Sequence, residues 1–209
     1  IARFLPQGGD GLKPVERRIL YSLYTKLKNK PKKKAKIKMN ESVAACLNIH
    51  PHGDASVYST TVRLGQSWQN MIPTIATHDQ NFGTIKGDGA PGARYLSVSL
   101  SDYALDCFFT DWDPELITMI DSYNHKYKEP VYLPTKYPNC LLSSADGLGF
   151  GLATHVPTFN IQEILNATIE LIRDPKYDVV LIPDMTTGCL VVDEGNFPEI
   201  CRTGEGNFK

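Results

Sequence analysis

The sequence predicts an α+β fold, because two apolar periodicities alternate along a chain whose charge divides near residue 110. Stretches with apolar residues every three or four positions read as helices, and shorter stretches that alternate apolar with polar residues read as strands. The 209 residues, 42% apolar and 22% charged, fit one large or two small globular domains with a real core. The formal net charge of −1 hides an asymmetry: residues 1–110 carry 15 Lys+Arg against 8 Asp+Glu, and residues 111–209 carry 7 against 15. A basic half joined to an acidic half points to a polyanionic partner for the first half alone. No apolar run approaches the roughly 20 residues of a membrane span, which excludes a membrane-spanning helix. The five cysteines are odd in number and never form Cys-x-x-Cys. That argues against a disulfide framework or zinc site and for a reducing compartment. The chain opens at Ile1 and stops at Lys209 just after a turn-like Thr203-Gly204-Glu205-Gly206, and is expected to be a piece of a longer protein.

The elements follow in order. Pro14 suits a first helical position, and Val15, Ile19, Leu23 and Leu27 recur every four residues, predicting an amphipathic helix that ends near Lys28. Lys26 to Lys38 then holds eight lysines, with Lys32, Lys33, Lys34 and Lys36 toward its centre. A solvated loop would account for such a run. Joining two predicted helices, it can also neutralise phosphates without regard to sequence. Asn40 is expected to cap a short helix carrying Val43, Cys46 and Leu47. His50-Pro51-His52-Gly53 breaks that helix, and Asp54 is expected to cap a third, with Val57, Thr61 and Leu64 on one face. Helix, tight turn, helix is the helix-turn-helix pattern, whose second helix usually enters a major groove, although many helical hairpins bind nothing.

Asn81-Phe82-Gly83, Gly87-Asp88-Gly89 and Pro91-Gly92 read as the turns of a wing. From Arg94 to Leu100 the residues alternate as in a strand, with Leu96, Val98 and Leu100 on one side and Tyr95 on the polar side beside Arg94. Ser101 can cap the next helix, through Ala104, Leu105 and Phe108. Asp111-Trp112-Asp113-Pro114 reads as a linker, dividing a winged-helix domain over 1–110 from a second domain over 111–209. In the latter, Leu116-Ile117 and Val131-Tyr132-Leu133 look strand-like. Asn160-Ile161-Gln162-Glu163 predicts a capping box for a helix through Ile172, stopped by Asp174-Pro175.

Few chemistries fit these residues. Gly87 to Gly92 is neither a Walker loop nor a dinucleotide fingerprint, since no Gly-Lys-Ser/Thr follows and no helix opens after it. His50 and His52 lack a third metal ligand at a recognised spacing. What remains is Tyr95 beside Arg94 in a basic, helix-turn-helix half. A tyrosine becomes a competent nucleophile when cations stabilise its phenolate, and the same cations stabilise a phosphodiester under attack. By composition alone, an Arg-Tyr pair is more often ordinary strand decoration.

Longer strings carry a resemblance. Arg3-Phe4-Leu5-Pro6 and Asp10-Gly11-Leu12-Lys13-Pro14-Val15-Glu16-Arg17-Arg18-Ile19-Leu20 resemble the opening of the family formed by the A subunit of DNA gyrase and the C subunit of topoisomerase IV. His50-Pro51-His52-Gly53-Asp54 matches that family's helix-turn-helix turn, and Asn81-Phe82-Gly83, Gly87-Asp88 and Ala93-Arg94-Tyr95 match the segment ending in its active-site tyrosine. Ser143-Ser144, Gly147 to Thr154 and Val156-Pro157 match its later Gly-rich motif. The resemblance implies the breakage-reunion region of a type IIA topoisomerase: a winged-helix DNA-cleavage domain followed by part of an α/β tower domain.

By the same resemblance, Tyr95 would attack a DNA phosphodiester, with Arg94, Arg3 and His52 around the scissile phosphate. Lys13, Arg17, Arg18 and His50 would hold the phosphate backbone, although Arg17 and Arg18 cannot share one helix face and one of them can equally be solvated. Leu148 would be the apolar wedge between base steps, its alternative being a core leucine. Mg²⁺ would be held by the TOPRIM domain of a partner subunit that also binds ATP. A homodimer with that partner, a heterotetramer, would act on double-stranded DNA in a bacterial cytoplasm or from a phage. The fragment alone would be inactive. A winged-helix DNA-binding protein without chemistry is the alternative.

Several positions depart from the family. The lysine run is more basic than usual, Thr77-His78-Asp79-Gln80 replaces a Gly- and Gln-containing approach, and Ala90-Pro91-Gly92 precedes the Arg-Tyr pair. Ala55 and Ser59 stand where a Ser and an acid usually anchor the water shell of the Mg²⁺ ion that carries quinolone drugs. These departures imply a divergent branch.

Overall fold

The computed structural model describes residues 4–29, 35–149, 152–188, 191–192 and 195–207. Helix and sheet are mixed, as an α+β fold requires. Helix α1 spans Pro14–Leu27, with Pro14 at its first position and Glu16 Oε2 accepting the Lys13 backbone N–H at 2.9 Å. Its apolar face buries Ile19, Leu20, Leu23 and Leu27. Strand β1 (Ile37–Lys38) leads into α2 (Met39–Leu47), and α3 covers Asp54–Leu64. The expected caps are each displaced by one or two residues: Lys38 rather than Asn40 precedes α2, and Gly53 rather than Asp54 precedes α3. Asp54, at the first helical position, accepts the Ala55 N–H at 2.9 Å, where a carboxylate also meets the positive helix end.

Strands β2 (Ile75–Ala76) and β3 (Ser97–Leu100) complete a three-stranded antiparallel sheet in the order β1-β3-β2, with Ile37 opposite Val98 and Ile75 opposite Leu100. Helices and sheet share one core, including Ile19, Leu23, Met39, Val57, Ile75, Leu96, Val98 and Phe108. After β3, Ser101 accepts the Ala104 N–H and caps α4 (Asp102–Ala104), which runs on as a π-helical turn over Leu105–Phe109. The widened turn accompanies burial of Cys107, Phe108 and Phe109 together. Trp112 is no loose linker: its ring packs against Tyr21, Tyr24 and Phe109.

Beyond it, β4 (Met119–Asp121) and β5 (Lys128–Pro130) form a hairpin. Neither strand falls on the apolar stretch expected to form it: both lie between Leu116-Ile117 and Val131-Tyr132-Leu133. Leu133 is withdrawn from pairing because it fills the first core, so the ladder falls on more polar neighbours. Strands β6 (Ala145–Gly149) and β7 (Leu152–Val156) pair with Leu148 opposite Ala153. Helix α5 spans Ile161–Arg173, and Asn160 caps it by accepting the Gln162 N–H at 2.8 Å. A short α6 (Phe197–Thr203) ends at left-handed Gly204. No helix among the described residues is long and apolar enough to cross a membrane.

The two halves are tied at α1. Asp10, completely buried, accepts from the backbone N–H of Leu12 at 3.0 Å and of Leu133 at 2.9 Å. Gly11 has φ of 68°, and a side chain there would collide with the Cys140 backbone. Both strain and space demand glycine.

Candidate active site

Tyr95 stands at the end of a 3₁₀ turn, Ala93–Tyr95, and not in the strand expected from Arg94 onward. The alternation continues through the turn because Leu96 is buried wherever the strand begins. The turn is held from both sides. Upstream, the Tyr58 hydroxyl on α3 donates to the Pro91 carbonyl at 2.6 Å. Downstream, the Met39 N–H donates to the Leu96 carbonyl at 3.0 Å, fastening the turn to the start of α2. Tyr95 itself is 66% exposed. The Arg94 guanidinium lies over its ring, 5.3 Å from the centroid, so a cation accompanies the phenol in water.

The approach to β3 contains a device that sequence reasoning passed over. His78 and Asp79 both take positive φ, 53° and 59°, reversing the chain so that Gln80 faces Ser97. The Gln80 side chain donates to the Ser97 carbonyl at 3.1 Å and accepts the Ser97 N–H at 2.8 Å. An amide side chain thus substitutes for a strand neighbour two residues from Tyr95. Asn81 accepts the Gly83 N–H at 2.8 Å, and the Thr84 hydroxyl donates to Asp88 at 2.7 Å, so the wing segment is a set of closed turns.

The histidine turn lies between α2 and α3. The His50 N–H donates to the Cys46 carbonyl at 2.9 Å, and Pro51 then directs the chain outward. His50 is buried and His52 exposed, their rings edge-on at 5.0 Å between centroids. Beneath them, burial pushes the Cys46 thiol up to about 12, so it stays protonated and is no rival nucleophile. Ala55 and Ser59 are exposed on α3, and the Ser59 hydroxyl donates back to the Ser56 carbonyl at 3.2 Å.

The two arginines of α1 depart from expectation. Arg17 is not a phosphate ligand at the surface. It is 6% exposed and donates to Asp10 at 2.5 and 2.9 Å and to the Leu12 carbonyl at 3.1 Å. Its position on the inward face, next to Ile19 and Leu20, forces this pairing, because a buried cation needs a counter-charge. Arg18 is not solvated either: it donates to both carboxylate oxygens of Glu129, at 2.5 and 2.9 Å, and its other terminal nitrogen lies 3.3 Å from His50 Nδ1. Glu129 was not foreseen as part of this region. No local pattern could reveal it, because its partner lies 111 positions away.

Lys13 donates to the Asp146 carbonyl, linking the start of α1 to β6. On the same strand Leu148 is 77% exposed and packs in neither core cluster of the described residues. Gly147 is required beside it, since a side chain there would collide with the Phe4 carbonyl. Asp146 pairs across the hairpin with His155. Lys36 is exposed near the sheet edge, while Arg3, Lys32, Lys33 and Lys34 lie outside the described residues. Among the described residues no three His, Cys, Asp or Glu side chains converge as metal ligands would.

The structure thus places an exposed tyrosine on an anchored turn, with a guanidinium over its ring, beside the helices α2 and α3. A family model describing the A subunit of DNA gyrase/topoisomerase IV matches residues 3–209, and the chain belongs to that family. It is 37% identical over 214 residues to the A subunit of DNA topoisomerase 4 from Mycoplasma pneumoniae, covering 99% of this chain and 26% of that protein. It is 35% identical to the DNA gyrase A subunit of Metamycoplasma arthritidis, covering 100% of this chain and 24% of that protein. Against the DNA gyrase A subunit of Streptococcus pneumoniae the identity is 34%, covering 100% and 26%. The chain thus spans about a quarter of the length of these relatives.

Proposed function

We propose that this chain is the DNA-cleaving part of a type IIA topoisomerase, with a winged-helix domain over residues 1–110 and the start of a tower domain over 111–209. The observation that carries this reading is Tyr95: exposed, held on an anchored turn, with a guanidinium over its ring. Three helices with the sheet order β1-β3-β2 support the winged-helix assignment.

In the reaction, the Tyr95 oxygen bonds to a DNA phosphorus and the bond from phosphorus to the 3′ oxygen breaks. The phenol proton leaves through His52, and the departing 3′ oxygen takes up a proton to become a hydroxyl. The 5′ phosphate remains on tyrosine, so the phosphodiester energy is kept and religation needs no ATP. Arg94 and Arg3 stabilise the charge that builds on the phosphoryl oxygens. Lys13, Lys36 and the lysines at 32, 33 and 34 hold the duplex backbone, and Leu148 enters a base step. Arg17 has no part in this set of DNA ligands.

Mg²⁺, when bound, would supply charge neutralisation at the phosphate. By the family resemblance, the TOPRIM domain of an ATPase partner would hold it, and the same partner would bind ATP. Two such subunits and two partners would form the working assembly, in the bacterial cytoplasm at the nucleoid or encoded by a phage.

The test is to trap the protein on DNA by denaturing a reaction with the partner and Mg²⁺. Wild-type protein should be recovered on DNA 5′ ends, and Tyr95→Phe should not. Equal absence of trapping in both would favour a winged-helix protein that binds without cutting.

A further inference from the structure

The reaction proposed above draws its histidine turn from the first half of the chain, yet a buried carboxylate of the second half reaches that turn. Glu129, on β5, is 6% exposed and receives two hydrogen bonds from Arg18. Arg18 extends its remaining arm to His50 Nδ1 at 3.3 Å, and the His50 ring rests edge-on against His52. A guanidinium has donors and no acceptor. The nitrogen it faces must therefore carry a lone pair, and the ring proton of His50 must sit on Nε2.

We infer that Glu129 is a positioning residue for the cleavage site: by fixing the Arg18 fork, it sets the tautomer of His50 and the packing of His52 on it. The planar fork engages both carboxylate oxygens while its remaining arm faces the imidazole, a fixed geometry that a lysine ammonium does not reproduce. The cost of burying Glu129 supports the assignment. A carboxylate this enclosed weakens the fold unless its partner is rigidly held, and here the partner is the residue that touches the histidine turn. The site is thereby completed by residues 111 positions apart, and the β4–β5 hairpin becomes part of the catalytic architecture.

This rests on the cleavage reading, and the experiment separates the two. The full-length protein, bound to its ATPase partner, is assayed for covalent-complex formation at saturating DNA, for DNA affinity and for melting temperature. Glu129→Gln should lower the cleavage rate about tenfold, within the range of coupled neighbours, with DNA affinity changed by less than about twofold. Glu129→Asp should recover part of the rate. Combining Glu129→Gln with His50→Ala should be no slower than His50→Ala alone, because the carboxylate acts through that ring. Arg18→Lys, which keeps a cation against Glu129, should reproduce the slow cleavage if the glutamine variant fails to fold. Additive losses in the double variant, or wild-type rates for Glu129→Gln, would overturn the inference. Wild-type protein that never becomes trapped on DNA would overturn the cleavage reading and this inference with it.

Discussion

Arg17 and Arg18 are adjacent in sequence, yet their side chains perform different work because a helix turns its residues about 100° apart. Arg17 closes an internal ion pair with Asp10, both side chains almost fully enclosed. Removing one member of such a pair strands the other charge, so Asp10→Ala should destabilise the protein by about 3–5 kcal/mol, read from denaturant unfolding. The apolar spacing of α1 was legible from sequence, and so was the presence of two cations on it. Their partners were not, because Asp10 and Glu129 meet these arginines only after folding.

A second prediction at this scale concerns α3. Ala55 offers no hydroxyl, and the Ser59 hydroxyl is turned onto its own helix, so neither supplies the charge-assisted bond a carboxylate gives to a metal-bound water. That loss should remove about 2–4 kcal/mol of quinolone binding, roughly 30- to 1,000-fold. Drug-stabilised plasmid cleavage should be weak in the wild type and should rise in Ala55→Ser with Ser59→Asp, with drug-free cleavage unchanged.

Among the elements, the β6–β7 hairpin makes the sharpest separation between stability and function. Leu148 projects from it at 77% exposure, and side chains this exposed usually change stability by less than about 0.5 kcal/mol when truncated. Unstacking a base step involves a few kcal/mol. Leu148→Ala should therefore leave the melting temperature in place while reducing DNA bending, measured by energy transfer between the duplex ends. Lost stability with normal bending would refute the wedge. This hairpin was legible as a Gly-rich motif, but its attachment was not: Gly147 is needed because the Phe4 backbone crosses it. At Tyr95 the alternation predicts a strand where the chain forms a 3₁₀ turn. Alternation reports which side chains are buried, and a turn with a buried Leu96 satisfies it equally well. The same limit shifted β4 and β5, since Leu133 is apolar for the sake of the core and not for strand pairing.

For the whole molecule, charge is the property most directly readable from composition, and it leads to a test that needs no partner. The 209-residue chain should bind duplex DNA without cutting it, and binding should weaken steeply with salt. Replacing the lysines at 32, 33, 34 and 36 with Gln should flatten the dependence of log affinity on log salt by roughly 3–4, near 0.9 for each phosphate no longer neutralised. An unchanged slope would show that the run does not touch DNA.

Asp10 also bears on how the protein comes to exist during synthesis. Its carboxylate accepts from a backbone group 123 positions further along, and Leu133 fills a core otherwise built from earlier residues. At about 5–20 residues per second, a ribosome needs roughly 6–25 s to make the intervening chain. Through that interval the earlier residues lack the Leu133 side chain in their core and one of the donors to Asp10. A chain released after Thr110 should consequently exchange its core amides far faster than the 209-residue chain, as hydrogen–deuterium exchange can measure. Codon changes that slow translation between Asp111 and Leu133 should lengthen this exposure and lower the yield of folded protein.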